Sequence, residues 1–167
     1  MLSSLMAWIL VIAVDFLFHA VLLSRFWSQD YPALKSKLDL FRLIPFGYIS
    51  FLFLVLLVGW VYIRIYSYKG NVRKGLAVGV MLGGLFFLFT FFGWYSAVNL
   101  PALFILLISL VYWVEIIGVG FVFGFLMHPP SIRRRIWGLA ALIFIGLTLG
   151  FILQNLLTKP AIYERSF

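Results

Sequence analysis

No cysteine occurs anywhere in the 167 residues. That excludes disulfides, thiolate metal centres, cysteine nucleophiles and iron–sulfur ligation. Charge is nearly as scarce: 11% of residues are charged, and only five are acidic. A soluble domain carries about 25% charged residues, so a water-soluble globule is excluded. Proline is missing from the middle of every long apolar run, with Pro45 and Pro101 near run ends. There is no Ser-His-Asp set, nucleotide loop or redox motif either, and the chain does not read as an enzyme.

What is present is apolar: 65% of residues are hydrophobic and 20% aromatic. The apolar residues fall into five continuous runs at about 5–24, 43–66, 76–98, 102–127 and 136–157. About 20 residues rising 1.5 Å each cross the roughly 30 Å hydrocarbon core of a bilayer. The runs do not alternate with the period of two that a membrane barrel requires. The fold class expected is therefore all-α, a polytopic membrane bundle of five transmembrane helices in a single domain. The first run has no basic segment before it and no small-residue cleavage site, so it reads as a retained helix.

The formal net charge is +8, but the basic residues lie between the apolar runs, where orientation bias and anionic head groups place them. Nucleic acid is not expected as a partner. Arg64, Lys69, Arg73, Lys74 and Arg133 to Arg135 fall on one face, in short connections. Arg25, Lys35, Lys37, Arg42, Lys159 and Arg165 fall on the other, offset by Asp30, Asp39 and Glu164. Loop length favours a cytoplasmic N-terminus. In the longest connection, Phe26, Trp27 and Tyr31 form an interfacial aromatic cluster. Leu34, Leu38 and Phe41 then recur with helical spacing. The stretch 33–42 fits a short helix on the membrane surface or an ordinary ordered loop.

Gly75, Gly79 and Gly83 recur every fourth residue, lining one face of the third helix with no side chains. Gly118, Gly120 and Gly124 in the fourth helix, and Gly146 and Gly150 in the fifth, offer further close-packing faces.

The chemistry-bearing residues are two acids inside apolar runs, Asp15 and Glu115. A charge at mid-membrane costs roughly 2.5–3.5 kcal/mol on insertion scales, so each calls for a partner or a task. Asp15 and His19, four residues apart, share a helix face and suit an ion pair. Ser109, Tyr112 and Trp113 are hydrogen-bonding company for Glu115. Asp15, His19 and Glu115 fall at related depth and suggest one internal polar cluster, serving as a clasp between helices, a proton or cation pathway, or a polar-ligand site. A bis-histidine haem is excluded, because His19 and His128 lie toward opposite faces. Single-histidine pigment ligation at His19 is chemically allowed, but nothing else supports it. No cofactor and no metal site is expected.

The acid in helix one, the glycine staircase, Tyr95-x-x-x-Asn99 and Glu115 with Gly118 resemble a group of small, uncharacterised bacterial inner-membrane proteins over helices one to four. Glu115 stands where that group carries Asp, and the fifth helix is additional. The resemblance implies a bacterial cytoplasmic membrane and singles out Asp15, Asn99 and Glu115. It brings no activity with it. Two functions are therefore weighed, the first favoured by the small size, aromatic richness, glycine faces and missing catalytic motifs, and the second kept as its alternative. The first is a non-catalytic accessory or assembly subunit, partnered by the bilayer and by other membrane subunits or copies of itself. The second is a small proton- or cation-coupled transporter or channel subunit.

Overall fold

The computed structural model describes residues 2–27, 29–67, 70–127 and 132–157. The chain is all-α. Helix α1 (Leu2–Phe16) continues into a π-helical stretch (Leu17–Leu22) and a short α2 (Ser24–Trp27). Four long helices follow: α3 (Lys37–Tyr66), α4 (Val72–Ala97), α5 (Ala102–Leu126) and α6 (Ile132–Leu157). Five stretches are long and apolar enough to cross a membrane: Leu2–Leu22, Leu38–Tyr66, Val72–Ala97, Ala102–Leu126 and Arg135–Leu156. The protein is a multi-pass membrane bundle, and short connections make successive spans run in opposite directions.

The caps explain where the helices begin. Ser36 Oγ accepts from Asp39 N at 3.2 Å at the head of α3, and Asn71 Oδ1 accepts from Lys74 N at 3.0 Å at the head of α4. Both caps lie upstream of the apolar runs, so α4 starts at Val72 and not at 76. Likewise, α6 starts at Ile132 rather than 136. There is no separate surface helix over 33–42. From Lys37 onward that sequence forms the first turns of α3, whose 30 residues extend about 45 Å at 1.5 Å each. The helix thus overruns the bilayer core. The connections at 128–131 and everything after 157 lie outside the described residues.

Helix α5 is the centre of the bundle. It buries more residues than any other helix, from Phe104 and Ile105 to Phe123 and Leu126, and leaves Val114 on its outer side exposed. Its main partner is α4, and the contact is made by glycines. A β-carbon on Gly79 would lie 2.8 Å from Ile117 Cα; one on Gly120 would lie 2.9 Å from Gly79 Cα; one on Gly124 would lie 2.9 Å from Val72 Cα. Gly75 and Gly83 belong to the same seam, against Gly120 and Trp113. Lateral packing in lipid has no hydrophobic drive of its own, so such backbone approach supplies the dispersion contacts. Two expected faces differ. Gly118 meets only Leu10 at an ordinary 3.7 Å, and Gly146 has nothing within 4 Å. Gly150 does pack, against Leu17 and Phe16 at 3.4 and 3.5 Å. Beside the seam, Phe123 fills the notch left by Gly59 of α3.

Two apolar clusters divide the interior. One joins Ala7, Leu10 and Val11 of α1 to Val58 and Tyr62 of α3 and to Ile116, Val119 and Phe123 of α5. The other joins Leu23 to Leu100, Phe104, Ile108 and Val111, with Phe26, Trp27 and Tyr31 packed on it. The outward sides of α3, α4 and α6 expose large apolar residues such as Phe53, Phe89, Phe144 and Phe151. That is the surface a bilayer requires.

Candidate functional site

Between the two clusters, Asp15 and His19 of the first span face Glu115 of α5. Their ligand-type atoms all lie within 4.8 Å of one another. The three residues singled out in the sequence therefore meet in one place. Asn99 does not join them: it is exposed in the connection between α4 and α5. Glu115 lies thirteen residues into α5 from Ala102, about 20 Å along the axis at 1.5 Å each.

Glu115 is 1% exposed, and neither carboxyl oxygen has a hydrogen-bond partner among the described residues. The Tyr62 hydroxyl on α3 is likewise buried without a hydrogen-bond partner among the described residues, whereas other buried polar groups of the spans are satisfied. Thr90 Oγ1 donates to Phe86 O at 2.9 Å, and Ser109 Oγ donates to Ile105 O at 2.8 Å, each satisfied by its own helix. Trp113 Nε1 donates to Val80 O of α4 at 3.2 Å. Ser109 and Trp113 are thus engaged elsewhere and do not serve Glu115. The Tyr112 hydroxyl lies within the electrostatic field of both Glu115 and Asp15, and that of Tyr48 on α3 lies within the field of Asp15.

His19 Nε2 is 3.3 Å from Asp15 Oδ1, with both side chains largely buried. Its other nitrogen, Nδ1, accepts a hydrogen bond from Trp27 Nε1 at 2.8 Å. An indole N–H only donates, so Nδ1 offers a lone pair and the proton of the ring sits on Nε2, toward Asp15. The pair is a neutral imidazole whose Nε2–H lies beside a carboxyl group. It is not the aspartate–imidazolium ion pair that the i, i+4 spacing suggested.

The first span is irregular at this site. Leu23 N donates to Phe18 O at 2.7 Å, a bond spanning five residues that closes the π turn around His19. No proline or glycine lies in this stretch; Leu17 packs beside Gly150 of α6, and His19 is bonded to Trp27. Wide π turns inside α-helices occur mostly at functional positions. The irregularity closes the last turns of the first span, Leu17–Leu22 of Leu2–Leu22, and no span is broken at its middle by proline.

Trp27 is a further site residue, although its sequence setting is that of an interfacial aromatic belt. The available signal was spacing, since Asp15, His19, Leu23 and Trp27 recur every fourth residue. Its indole packs edge-on against Phe104, with ring centroids 5.2 Å apart. It also lines a cavity of about 270 Å³ with Asp30, Tyr31 and Lys35. His128 lies outside the described residues.

Compared with known protein families, with curated proteins and with solved structures, the chain matches none.

Proposed function

We propose that the chain is a small proton- or cation-coupled transporter or channel subunit whose Asp15–His19–Glu115 centre takes up and releases its cation inside the membrane. The observation that carries this reading is the Glu115 carboxyl group, buried and unpartnered yet aimed at a second acid and an imidazole. A structural clasp would pair its members, because a buried polar group left unpaired costs about 1–3 kcal/mol, and more if charged. Glu115 gains nothing from such a clasp. It is instead placed to hold a proton, or to share a cation with Asp15. The cavity beside Trp27 supports an approach from the face that carries the α2–α3 connection. We further assign the chain to a bacterial cytoplasmic membrane with its N-terminus in the cytoplasm, on the distribution of its basic residues and on the resemblance stated above.

An accessory-subunit reading is favoured by a different feature. Leu54, Leu57, Leu85 and Phe89 line an apolar groove between α3 and α4, about 270 Å³ in volume, which suits a partner helix or an acyl chain. Reconstitution separates the two. Wild-type protein in vesicles loaded with a pH-sensitive dye should dissipate an imposed gradient, and Glu115→Gln should abolish the flux without changing the melting temperature. Absent flux in wild type, with Glu115→Gln as stable or more stable, would leave the accessory reading.

A further inference from the structure

We propose that Trp27 decides which cation the centre takes: by fixing the tautomer of His19, it makes the site hold a proton and refuse a metal ion. This rests on the reading of Asp15, His19 and Glu115 as a cation site and names its ligand.

By donor count alone a metal would fit. Two carboxylates and an imidazole within 4.8 Å of one another form a three-ligand N/O set of the kind zinc accepts, leaving a further position open. What opposes it is the orientation of the imidazole. A metal-binding histidine turns one lone pair to the ion and donates its other ring N–H to an acceptor. Here the arrangement is reversed. The Trp27 indole, a donor only, sits 2.8 Å from Nδ1, and the N–H that remains points from Nε2 to Asp15 Oδ1 at 3.3 Å. The indole occupies the lone pair of Nδ1 and the ring proton occupies Nε2, so neither nitrogen offers a lone pair to an ion.

The same bond disfavours an imidazolium, whose Nδ1–H would oppose the indole N–H. The arriving proton therefore belongs to the carboxyl groups, and Glu115 is the one whose oxygens no protein group engages. Loading adds a proton from water to that carboxylate, and release returns it to water. Among the described residues, the groups facing the centre from neighbouring elements offer no other carboxylate or imidazole. Tyr48 on α3 and Tyr112 on α5 are phenols. Helices α4 and α6 carry their basic residues only in their first turns, Arg73 and Lys74 in one and Arg133 to Arg135 in the other. Trp27 is held for this task by packing: its ring lies 5.2 Å from that of Phe104 and 5.3 Å from that of His19.

NMR of isotopically enriched histidine ring nitrogens tests the assignment in lipid. The chain has two histidines, so a His128→Gln background reports His19 alone. The expected spectrum has its protonated nitrogen at Nε2 and its lone-pair nitrogen at Nδ1. In parallel, calorimetric titration with Zn²⁺ should show no binding to wild type. Trp27→Phe keeps a ring against Phe104 but loses the donor, and it should gain a stoichiometric Zn²⁺ site that Glu115→Gln removes again. A lone pair at Nε2, or Glu115-dependent Zn²⁺ binding by wild type, would overturn the inference while leaving a cation site in place. A Trp27→Phe protein that melts like wild type yet takes no Zn²⁺ would overturn the role of Trp27; the NMR arm needs no variant there. Wild type that neither binds Zn²⁺ nor changes the protonation of Glu115 between acid and alkaline buffer would remove the cation reading itself.

Discussion

Gly79 and Gly120 meet backbone to backbone: a β-carbon on Gly120 would lie 2.9 Å from both the Cα and the N of Gly79. The neighbour in this seam is main chain, which cannot swing aside as a side-chain tip can. Gly79→Leu should therefore force α4 away from α5 and lower stability by at least the 1–3 kcal/mol typical of overpacking. Gly146→Leu points into open space and should stay within about 0.5 kcal/mol of wild type. Thermal unfolding in one detergent compares the two, and equal melting temperatures would show that the α4–α5 seam has slack.

Topology is tested cleanly because the chain has no cysteine of its own. Asn71 and Asn99 flank α4, so single cysteines there should react with an impermeant reagent from opposite faces of the membrane. The cytoplasmic N-terminus assigned above puts Asn71 inside and Asn99 outside. Labelling of both from one side would contradict the span count; the mirror pattern would reverse only the orientation.

The number of spans was legible because continuous apolar runs of bilayer length have few other uses. Asp15, His19 and Glu115 were legible for the opposite reason, since ionisable groups inside such runs are conspicuous. Which face of α5 each residue occupies was not. A helix that is apolar all round has no stripe to read, so Gly118 and Gly120 look alike in sequence although only Gly120 packs against α4. Trp27 was hidden by its setting. It follows Arg25 and precedes a polar stretch, where an aromatic residue reads as a membrane-interface anchor, and only the extra turns beyond Ser24 bring it back over His19. The lone-pair requirement at Nδ1, which changes the chemistry of the Asp15–His19 pair, follows from that contact and from nothing local.

Asp15 separates charge from hydrogen bonding. Asp15→Asn keeps a carbonyl oxygen to accept from His19 Nε2, now 3.3 Å from the carboxylate, and should melt close to wild type. Asp15→Leu leaves that N–H without an acceptor and should cost about 1–3 kcal/mol. Both should abolish proton flux, because an amide does not exchange a proton as a carboxyl group does. Flux preserved in Asp15→Asn would assign Asp15 a purely positional part.

Trp8 Nε1 donates to Tyr48 O at 2.7 Å and ties α1 to α3. Trp8→Phe should cost about 0.5–1.5 kcal/mol, the usual net worth of one such bond. Trp137 on α6 is 69% exposed, and Trp137→Phe should leave unfolding unchanged. Equal effects of the two substitutions would show that the indole–carbonyl tether carries no weight.

The most direct measurement is the infrared carboxyl spectrum of the reconstituted protein, recorded as a difference between acid and alkaline buffer. A protonated-carboxyl band that changes with pH is expected in wild type and should disappear in Glu115→Gln, while Glu164→Gln should leave it intact. A difference spectrum identical in wild type and Glu115→Gln would mean that Glu115 does not exchange a proton with water and is not the proton-binding group of the centre.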